Sequence, residues 1–432
     1  MFILYNLFFI LAAPVWVPWM LWRTSRRKEK PNWAQRLGRY PMKPRLDRRR
    51  IWFHAVSVGE VLAALPILRE LRRRLPGFEI VLSVTTSSGH QTAREQADGL
   101  FDHLVYFPID TTRYQFFAMA SVRPAAVAIM ETELWPNFLW AAKAFDARTL
   151  IVNGRISDRS FPRYRALSFL FRGVLGMVDR RLMQTSVDAE RIRAIGGGEA
   201  EVFGNVKFDQ ALEGVGADAG ALRCELGIPA DAPVVVIGST RGDDEERLVL
   251  DAIREVGPER AWYVHAPRHL ERADALTEMA ESVCGRDRVA RRSKGQTGRY
   301  LILDTYGELA KVYGIADVVV IGGGFANHGG QNLVQALAHG KPVIHGPHMH
   351  NFREVAEMAA KAGATEVAAS ASELAAAVTR LLAEPERRAQ MGEAAAALVR
   401  SGAGAARRYA EAIAAEAEAM IEEEERTKVR RR

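Results

Sequence analysis

The sequence predicts an α/β protein with two domains, each built on a parallel sheet, and three observations support this fold class. Short apolar runs rich in Val and Ile alternate with helix-like segments along most of the 432 residues, as in sheets made of βαβ units. The runs form two series, separated by a stretch rich in Gly, Ala and Asp. Charged or glycine-rich loops follow several runs, at the strand ends where open α/β sheets bind ligands.

The chain begins with an apolar segment, since residues 1–22 contain no charged side chain. About 20 apolar residues suffice to cross a bilayer, and the basic residues follow this run instead of preceding it, unlike those of a cleaved signal peptide. The segment therefore predicts a membrane anchor, with the rest of the chain on the cytoplasmic side. An interfacial helix is the alternative, because Pro14, Pro18 and several aromatic residues also suit the membrane surface.

The net charge of +7 is concentrated near the N-terminus. Residues 1–50 hold twelve Lys and Arg against Glu29 and Asp47, whereas the remainder holds 47 basic and 50 acidic side chains. We therefore expect no nucleic-acid partner, and we expect residues 23–50 to form a basic juxtamembrane segment facing an anionic membrane surface. Cys224 and Cys284 are too few for a disulfide framework.

The two series of apolar runs define the predicted domains, 51–207 and 231–405, joined by a linker at 208–230. The predicted strands are "IWFHAV", "EIVLSVTT", "HLVYFPI", "AAVAIME" and "TLIVNGRI", then "PVVVIGS", "AWYVHAP", "YLILDT", "DVVVIGG" and "KPVIHGP". Residues 406–432 predict a charged, solvated helical tail.

Glu60 is the first candidate for chemistry, in "HAVSVGE" between the first strand and the next helix. Ser57 and Glu60 have the spacing of a capping box, which by itself accounts for both residues. A carboxylate at a helix N-terminus is also favoured in its ionised form and can accept a proton from a hydroxyl. The two roles are compatible, and we interpret Glu60 as a general base.

Other strand ends carry further candidates. Glu131 and Glu133 follow a strand in "IMETELWPNF" and suit acid–base work or sugar binding, or simply hydrogen bonding to a loop. Lys207, in "GNVKFD", lies near the domain junction.

The second domain carries features that suit a phosphate. Ser239 and Thr240 end one strand, and Arg268 ends another; arginine beside hydroxyls favours phosphate binding. The loop that contains Gly329 and Gly330 is dense in glycine, which allows either close approach to an anion or a tight packing turn. It is neither G-x-G-x-x-G nor G-x-x-x-x-G-K-[ST], which disfavours a dinucleotide site or a P-loop.

Five of the ten histidines lie between 328 and 350. The stretch has no H-E-x-x-H motif and no cysteine, so we predict loop hydrogen bonding there and no metal site.

Eight motifs occur along the chain: "HAVSVGE", "METELWPN", "GNVKFD", "GSTRGDDEE", "APRH", "DTYGELAKVYGIAD", "GGxxxxHGGQN" and "GKPVIHGPHMHNF". Their order is that found in the lipid A 3-deoxy-D-manno-octulosonic acid (Kdo) transferases, which the chain resembles from about residue 33 to about residue 400. The resemblance implies a GT-B fold of two Rossmann-like domains, CMP-Kdo as donor, a lipid A precursor (lipid IVA) as acceptor, the bacterial inner membrane as location, and neither metal nor cofactor.

The resemblance also implies site residues. The family's general base corresponds to Glu60, and its acidic and basic stabilising groups correspond to Glu131 and Lys207. Its nucleotide contacts correspond to Pro267, Arg268, Tyr306, Gly307, Glu308, Asn332, Leu333, Val334 and Gln335. One departure concerns donor choice, because Gln331 and Gln335 stand where the family has histidine and a carboxylate.

The resulting prediction is inverting transfer of Kdo from CMP-Kdo to the lipid A precursor. Two alternatives stay open at this point: a glycosyltransferase or epimerase that uses another nucleotide sugar, and a membrane-tethered binding module without turnover.

Overall fold

The computed structural model describes residues 2–25, 32–216 and 218–430, which divide into two compact units. Unit 1 comprises Met1–Val206 and Gly404–Arg432, and unit 2 comprises Lys207–Ala403. Within the described ranges each unit contains one seven-stranded sheet, parallel throughout. The predicted two-domain α/β fold is therefore confirmed.

The strands of unit 1 run in the order β3-β2-β1-β4-β5-β6-β7. They are β1 (Arg50–Ala55), β2 (Glu79–Val84), β3 (His103–Tyr106), β4 (Ala126–Met130), β5 (Arg148–Gly154), β6 (Arg180–Met183) and β7 (Glu201–Val202). The helices are α1 (Phe2–Ser25), α2 (Trp33–Arg36), α3 (Val58–Arg74), α4 (Ser87–Gln96), α5 (Thr112–Val122), α6 (Pro136–Ala144), α7 (Phe161–Ala166), α8 (Ser168–Leu175) and α9 (Ser186–Ala194).

The strands of unit 2 run in the order β10-β11-β9-β8-β12-β13-β14. They are β8 (Val234–Thr240), β9 (Trp262–Pro267), β10 (Val289–Arg291), β11 (Tyr300–Ile302), β12 (Val318–Ile321), β13 (Val343–His345) and β14 (Thr365–Val367). The helices are α10 (Lys207–Glu213), α11 (Ala219–Glu225), α12 (Asp243–Val256), α13 (Ala273–Cys284), α14 (Leu309–Val312), α15 (Val334–Ala338), α16 (Arg353–Lys361), α17 (Ala371–Ala383) and α18 (Pro385–Gly402); short 3-10 helices span Leu270–Arg272, Arg286–Arg288, Arg292–Lys294 and Tyr313–Ile315.

The central strands are mostly apolar because both faces of each sheet are covered. Every residue of β1 and β4 is buried, and apolar clusters lie on both sides of each sheet. All ten predicted strands form. The short strands β6, β7, β10 and β14 were not predicted.

Both sheets reverse their strand order at the centre. In unit 1 the chain builds β1, β2 and β3 in one direction and then crosses to β4 on the other side of β1. In unit 2 the corresponding neighbours are β8 and β12. Ligands of open α/β sheets bind at the carboxyl ends of strands at such a switch point, so each unit has one preferred position for a site.

The predicted N-terminal anchor forms α1, but the prediction of a membrane anchor, and of a location at the inner membrane held by it, is wrong. In the part of the chain that the structure describes, no helix combines the length and the apolar character that crossing a bilayer requires. The run lacks charge, and Pro14 and Pro18 both lie inside the helix.

The start of α1 is joined to unit 1 by polar contacts. The Tyr5 hydroxyl donates to Asp110 Oδ2 at 3.0 Å, and Asn6 and Asn137 exchange two side-chain amide hydrogen bonds of 2.9 and 3.0 Å. Asp110 is buried and also accepts the Phe138 N–H at the start of α6. These contacts fix the beginning of the apolar segment to the sheet domain.

Two arginines of the predicted basic juxtamembrane segment are buried, and residues 26–31 of that segment lie outside the described ranges. Arg48 and Arg50 are only 5% and 4% exposed. Arg50 pairs with Glu79 at 2.6 Å, and Arg48 donates to the Pro124 carbonyl at 2.9 Å. These two arginines therefore stabilise unit 1 and do not face an external surface.

The C-terminal segment, expected to be a solvated tail, is instead the helix α19 (Ala405–Arg430), packed in unit 1 against α3, β4 and β5. Tyr409 and Ile413 are fully buried in the same apolar cluster as β1. The Tyr409 hydroxyl donates to the Gly204 carbonyl at 2.8 Å. Only the outer face of the helix carries the charges that predicted solvation.

Candidate active site

Glu60 lies at the carboxyl end of β1, in the first turn of α3. Its Oε2 accepts the Val56 N–H at 2.8 Å, and its Oε1 accepts the Ser57 hydroxyl at 3.1 Å. Ser57 is the N-cap residue, but its side chain accepts no helix N–H. The predicted reciprocal capping box therefore does not form. Both contacts instead hold the Glu60 carboxylate in place.

The side chain of Glu60 is 9% exposed. Its pKa is raised to about 7, first by burial and then by the charges of Glu131 and Glu133, against the lowering effect of the Val56 N–H. Burial thus opposes the effect expected of the helix N-terminus, which favours the ionised form of this carboxylate. A group with a pKa near 7 is well matched to accept a proton at physiological pH.

Glu131 is the first residue after β4, the strand beside β1. The pairing of His54 with Ile129 brings the carboxyl ends of the two strands together at the switch point. Glu131 has a left-handed backbone with φ 54°, which its N–H bond to the Val152 carbonyl at 2.9 Å helps to hold. Such strain in a residue other than glycine is concentrated at functional sites.

Glu133 completes a cluster of three carboxylates with Glu60 and Glu131. Burial and the charge of Glu131 raise the pKa of Glu133. Glu131 and Glu133 occur together in the motif "METELWPN", which by itself gives no basis for choosing between them. Burial and the neighbouring charge therefore both oppose ionisation of Glu133.

Lys207 is the first residue of α10 and belongs to unit 2, although it was predicted as the end of the first domain. Its Nζ lies 5.1 Å from the centre of the Phe352 ring, a cation–π distance. Phe352 ends the "GPHMHNF" motif, and its contact with Lys207 was not visible in the sequence.

At the carboxyl end of β8, Ser239 has a left-handed backbone with φ 62° in an irregular step of the β8–β9 pairing. Thr240 is fully buried, and its hydroxyl is 2.8 Å from His265 Nε2. The Thr240 side chain therefore stabilises the turn at the end of β8 through a buried hydrogen bond. Pro267 is buried at the end of β9, whereas Arg268 is exposed and its N–H donates to the Thr240 carbonyl at 2.9 Å.

The loop before α14 contains Tyr306, Gly307 and Glu308. Tyr306 is 84% exposed, and Gly307 has a φ of +83° that favours glycine. Glu308 forms an ion pair of 2.8 Å with Arg292, which holds the pKa of Glu308 below its ordinary value. This carboxylate is thus kept ionised by its partner.

The glycines at 329 and 330 serve loop packing. A β-carbon at Gly329 would lie 2.1 Å from Asn351 Nδ2, and one at Gly330 would lie 2.4 Å from Met349 Sδ. Both residues are buried with positive φ. These glycines therefore have a packing role, which is one of the two roles that the glycine-dense sequence predicts.

The helix after the glycine loop, α15, has only five residues. The Asn332 side chain accepts the Val334 N–H at 3.1 Å, and Leu333 and Val334 are fully buried. Gln335 is half-buried. Among these four predicted donor contacts, only Asn332 and Gln335 present polar side chains.

The histidine-rich stretch does not gather into a ligand set. His345 is buried, with Nδ1 2.8 Å from the Gly346 carbonyl, and burial lowers its pKa. Within residues 2–25, 32–216 and 218–430, no group of three His, Cys, Asp or Glu side chains is placed to hold a metal ion.

Two doubly wound units with polar side chains at their switch points define a GT-B type of protein. Residues 299–398 match the family of glycosyl transferases group 1, and residues 31–210 match the family described as 3-deoxy-D-manno-octulosonic-acid transferase (kdotransferase). A putative UDP-N-acetylglucosamine 2-epimerase from Listeria monocytogenes has a similar structure, with a TM-score of 0.57 and 15% identity, over 82% of this chain and 94% of the other. That likeness concerns the fold alone.

Two relatives are similar in sequence. The 3-deoxy-D-manno-octulosonic acid transferase of Bordetella pertussis is 34% identical over 82% of this chain and 85% of its own length. A bifunctional glycosyltransferase/methyltransferase of Fusobacterium nucleatum is 31% identical over 82% of this chain, and the match spans 55% of that longer protein. The chain belongs to the 3-deoxy-D-manno-octulosonic acid transferase family.

Proposed function

We propose that this Kdo transferase moves Kdo from CMP-Kdo to the lipid A precursor, lipid IVA, with inversion at the anomeric carbon and without a metal ion. The observation that carries the proposal is Glu60, a fixed carboxylate at the switch point of unit 1 with a pKa raised to about 7. Family membership supports Kdo as the sugar.

In the proposed reaction Glu60 accepts the proton of a primary hydroxyl on the acceptor glucosamine. The hydroxyl oxygen forms a bond to the anomeric carbon of Kdo as the bond from that carbon to the CMP phosphate breaks. The bonding electrons leave with CMP, which departs from the face opposite the attack. A general base of this kind contributes about 10²–10⁴-fold in rate.

The other predicted site residues act on charge. Glu131 stabilises the positive character that develops on the sugar, and Lys207 balances negative charge in the transition state. Arg268, exposed after β9, is the side chain that we assign to the leaving phosphate. The exposed Tyr306 and the Asn332 and Gln335 side chains are assigned to the nucleoside.

The test is to incubate the purified chain with CMP-Kdo and lipid IVA and to read the product mass directly. A mass gain of one or more Kdo residues that disappears in Glu60→Gln supports the proposal. Absence of any Kdo adduct with the unmodified chain contradicts it.

A second candidate, a GT-B enzyme with another nucleotide sugar, is favoured by one observation, the Gln335 amide at the place of the family's carboxylate. An amide oxygen accepts a hydrogen bond more weakly than a carboxylate. Titration with CMP and with UDP separates the two, because tighter binding of UDP would support the second candidate.

A further inference from the structure

Glu245 is a buried carboxylate with no role in the proposed chemistry. It lies in the first turn of α12 and is 1% exposed. Its Oε2 accepts the N–H of Arg241 at 2.6 Å and of Gly323 at 2.7 Å, and its Oε1 accepts the N–H of Phe325 at 3.0 Å. No Lys, Arg or His pairs with it in the described residues, so backbone N–H groups stabilise its charge.

The next residue, Glu246, offers a contrast. It is also fully buried, but its carboxylate forms an ion pair of 2.6 Å with Arg272. A buried carboxylate normally needs such a cationic partner or several hydrogen bonds. The two neighbouring carboxylates therefore have different partners. Glu246 pairs with an arginine, whereas Glu245 accepts hydrogen bonds from the backbone of two loops.

The loops that Glu245 holds are the two at the switch point of unit 2. Arg241 follows β8, and Gly323 and Phe325 follow β12, the neighbouring strand. The strands are joined up to their ends, where the Gly322 N–H donates to the Gly238 carbonyl at 2.8 Å. A β-carbon at Gly322 would lie 2.5 Å from Thr240 Cα. The two loops therefore begin where the strand ends are in direct contact and separate beyond that point. The Glu245 carboxylate joins them just after they separate.

We propose that Glu245 is a positioning residue that fixes the two donor-binding loops of unit 2 in one conformation before the nucleotide binds. The inference rests on the proposed function, because it takes the Ser239–Arg241 turn and the glycine loop to border the donor site that Arg268 and Asn332 would form. The N–H groups of Gly323 and Phe325 are committed to the protein's own carboxylate. These two N–H groups hold the glycine loop in place, and other groups, such as Arg268, bind the donor phosphate.

The experiment compares Glu245→Gln with Glu246→Gln, a matched change at the adjacent buried carboxylate. A glutamine oxygen cannot accept all three N–H groups, and its amide nitrogen would face a donor. Amide hydrogen exchange at Gly323 and Phe325, measured without nucleotide, is expected to accelerate about tenfold in Glu245→Gln, the size expected for losing a hydrogen bond to a charged group. In Glu246→Gln these two amides should change no more than the rest of unit 2.

Calorimetry with CMP provides the second measurement. We expect the Kd for CMP to rise about tenfold in Glu245→Gln and to stay within about twofold in folded Glu246→Gln. In transfer assays the change at 245 should appear mainly in KM for the donor, with kcat retained. If Glu245→Gln does not fold, Glu245→Asp keeps the charge with a shorter reach and should show the same effects in smaller size.

Unchanged exchange at Gly323 and Phe325 together with unchanged CMP affinity in the folded variant would overturn the inference. So would equal effects of the changes at 245 and 246. The exchange measurement needs no substrate, so it tests Glu245 even if the unmodified chain fails to transfer Kdo, an outcome that would count against the proposed function alone.

Discussion

Replacing Glu60 by glutamine should remove transfer activity and at the same time stabilise the protein above neutral pH. The buried Glu60 carboxyl has a pKa of about 7 in the folded chain, against an ordinary value of 4.5. Between these values the folded state holds a proton that the unfolded chain has released. The stabilising effect of that proton is complete below pH 4.5 and is lost as the pH rises through 7.

The two pKa values differ by an amount that corresponds to about 3 kcal/mol. Above pH 7 the unmodified protein therefore carries a buried charge that costs up to about 3 kcal/mol, and Glu60→Gln removes this cost. The glutamine oxygen can still accept the Val56 N–H, which donates at 2.8 Å in the unmodified chain. Because an amide is the weaker acceptor, we expect a net gain of about 1–2 kcal/mol, or several degrees in Tm.

Thermal melts of both proteins at pH 4.5 and pH 8 measure this effect, with Glu70→Gln, at a half-buried position of the same helix that pairs with Arg73, as the control. The gain should be present at pH 8, absent at pH 4.5, and absent in the control at both. Activity of the unmodified enzyme should follow the ionised carboxylate, falling to about one-tenth of its plateau at pH 6. A variant that is no more stable at pH 8, or that keeps near-normal transfer, would refute the reasoning.

Three further outcomes are expected. Arg268→Ala should raise the Kd for CMP by about tenfold or more in calorimetry, because a charged hydrogen bond is lost. The Tm should stay unchanged because the side chain is exposed, and a lowered Tm would show that Arg268 stabilises the fold. Transfer should persist in excess EDTA, and restoration of a chelator-stopped reaction by a divalent ion would contradict the proposed metal-free chemistry. Ile413→Ala in α19 should destabilise unit 1 by about 2–5 kcal/mol in denaturant unfolding, whereas Glu418→Ala on the exposed face should have little effect.

The central strands could be predicted because a strand covered on both faces is mostly apolar, as the runs in β1 and β8 are. The edge strands gave no such signal. Both residues of β7, Glu201 and Val202, are exposed, so their strand conformation depends on pairing with β6 and not on burial. Local sequence carries no information about a neighbour that supplies only backbone hydrogen bonds.

The helices at the two ends of the chain were misjudged for related reasons. An uncharged N-terminal run suggested a bilayer, but the partners of Tyr5 and Asn6 lie more than a hundred residues away. In α19 the buried face consists largely of alanines, which signal burial weakly, while the glutamates of the outer face dominate the composition. In both cases tertiary contacts decided the outcome.

For the candidate site, sequence patterns located the residues but could not supply their environment. The spacing of Ser57 and Glu60 indicated a helix start, yet the protonation of Glu60 depends on burial and on Glu131 and Glu133, which come from another strand. Glu245 was present in a quoted motif among four consecutive acids. Only the positions of Gly323 and Phe325 distinguish it from its neighbours.

The placement of α19 has a consequence for how the chain is made. The ribosome completes all seven strands of the first sheet by Val206, but the helix that covers one side of that sheet is translated only after the whole of unit 2. At about 5–20 residues per second, synthesis of the intervening unit takes about 10–40 s. Throughout that interval the nascent first domain exposes the apolar surface that Tyr409 and Ile413 will later bury.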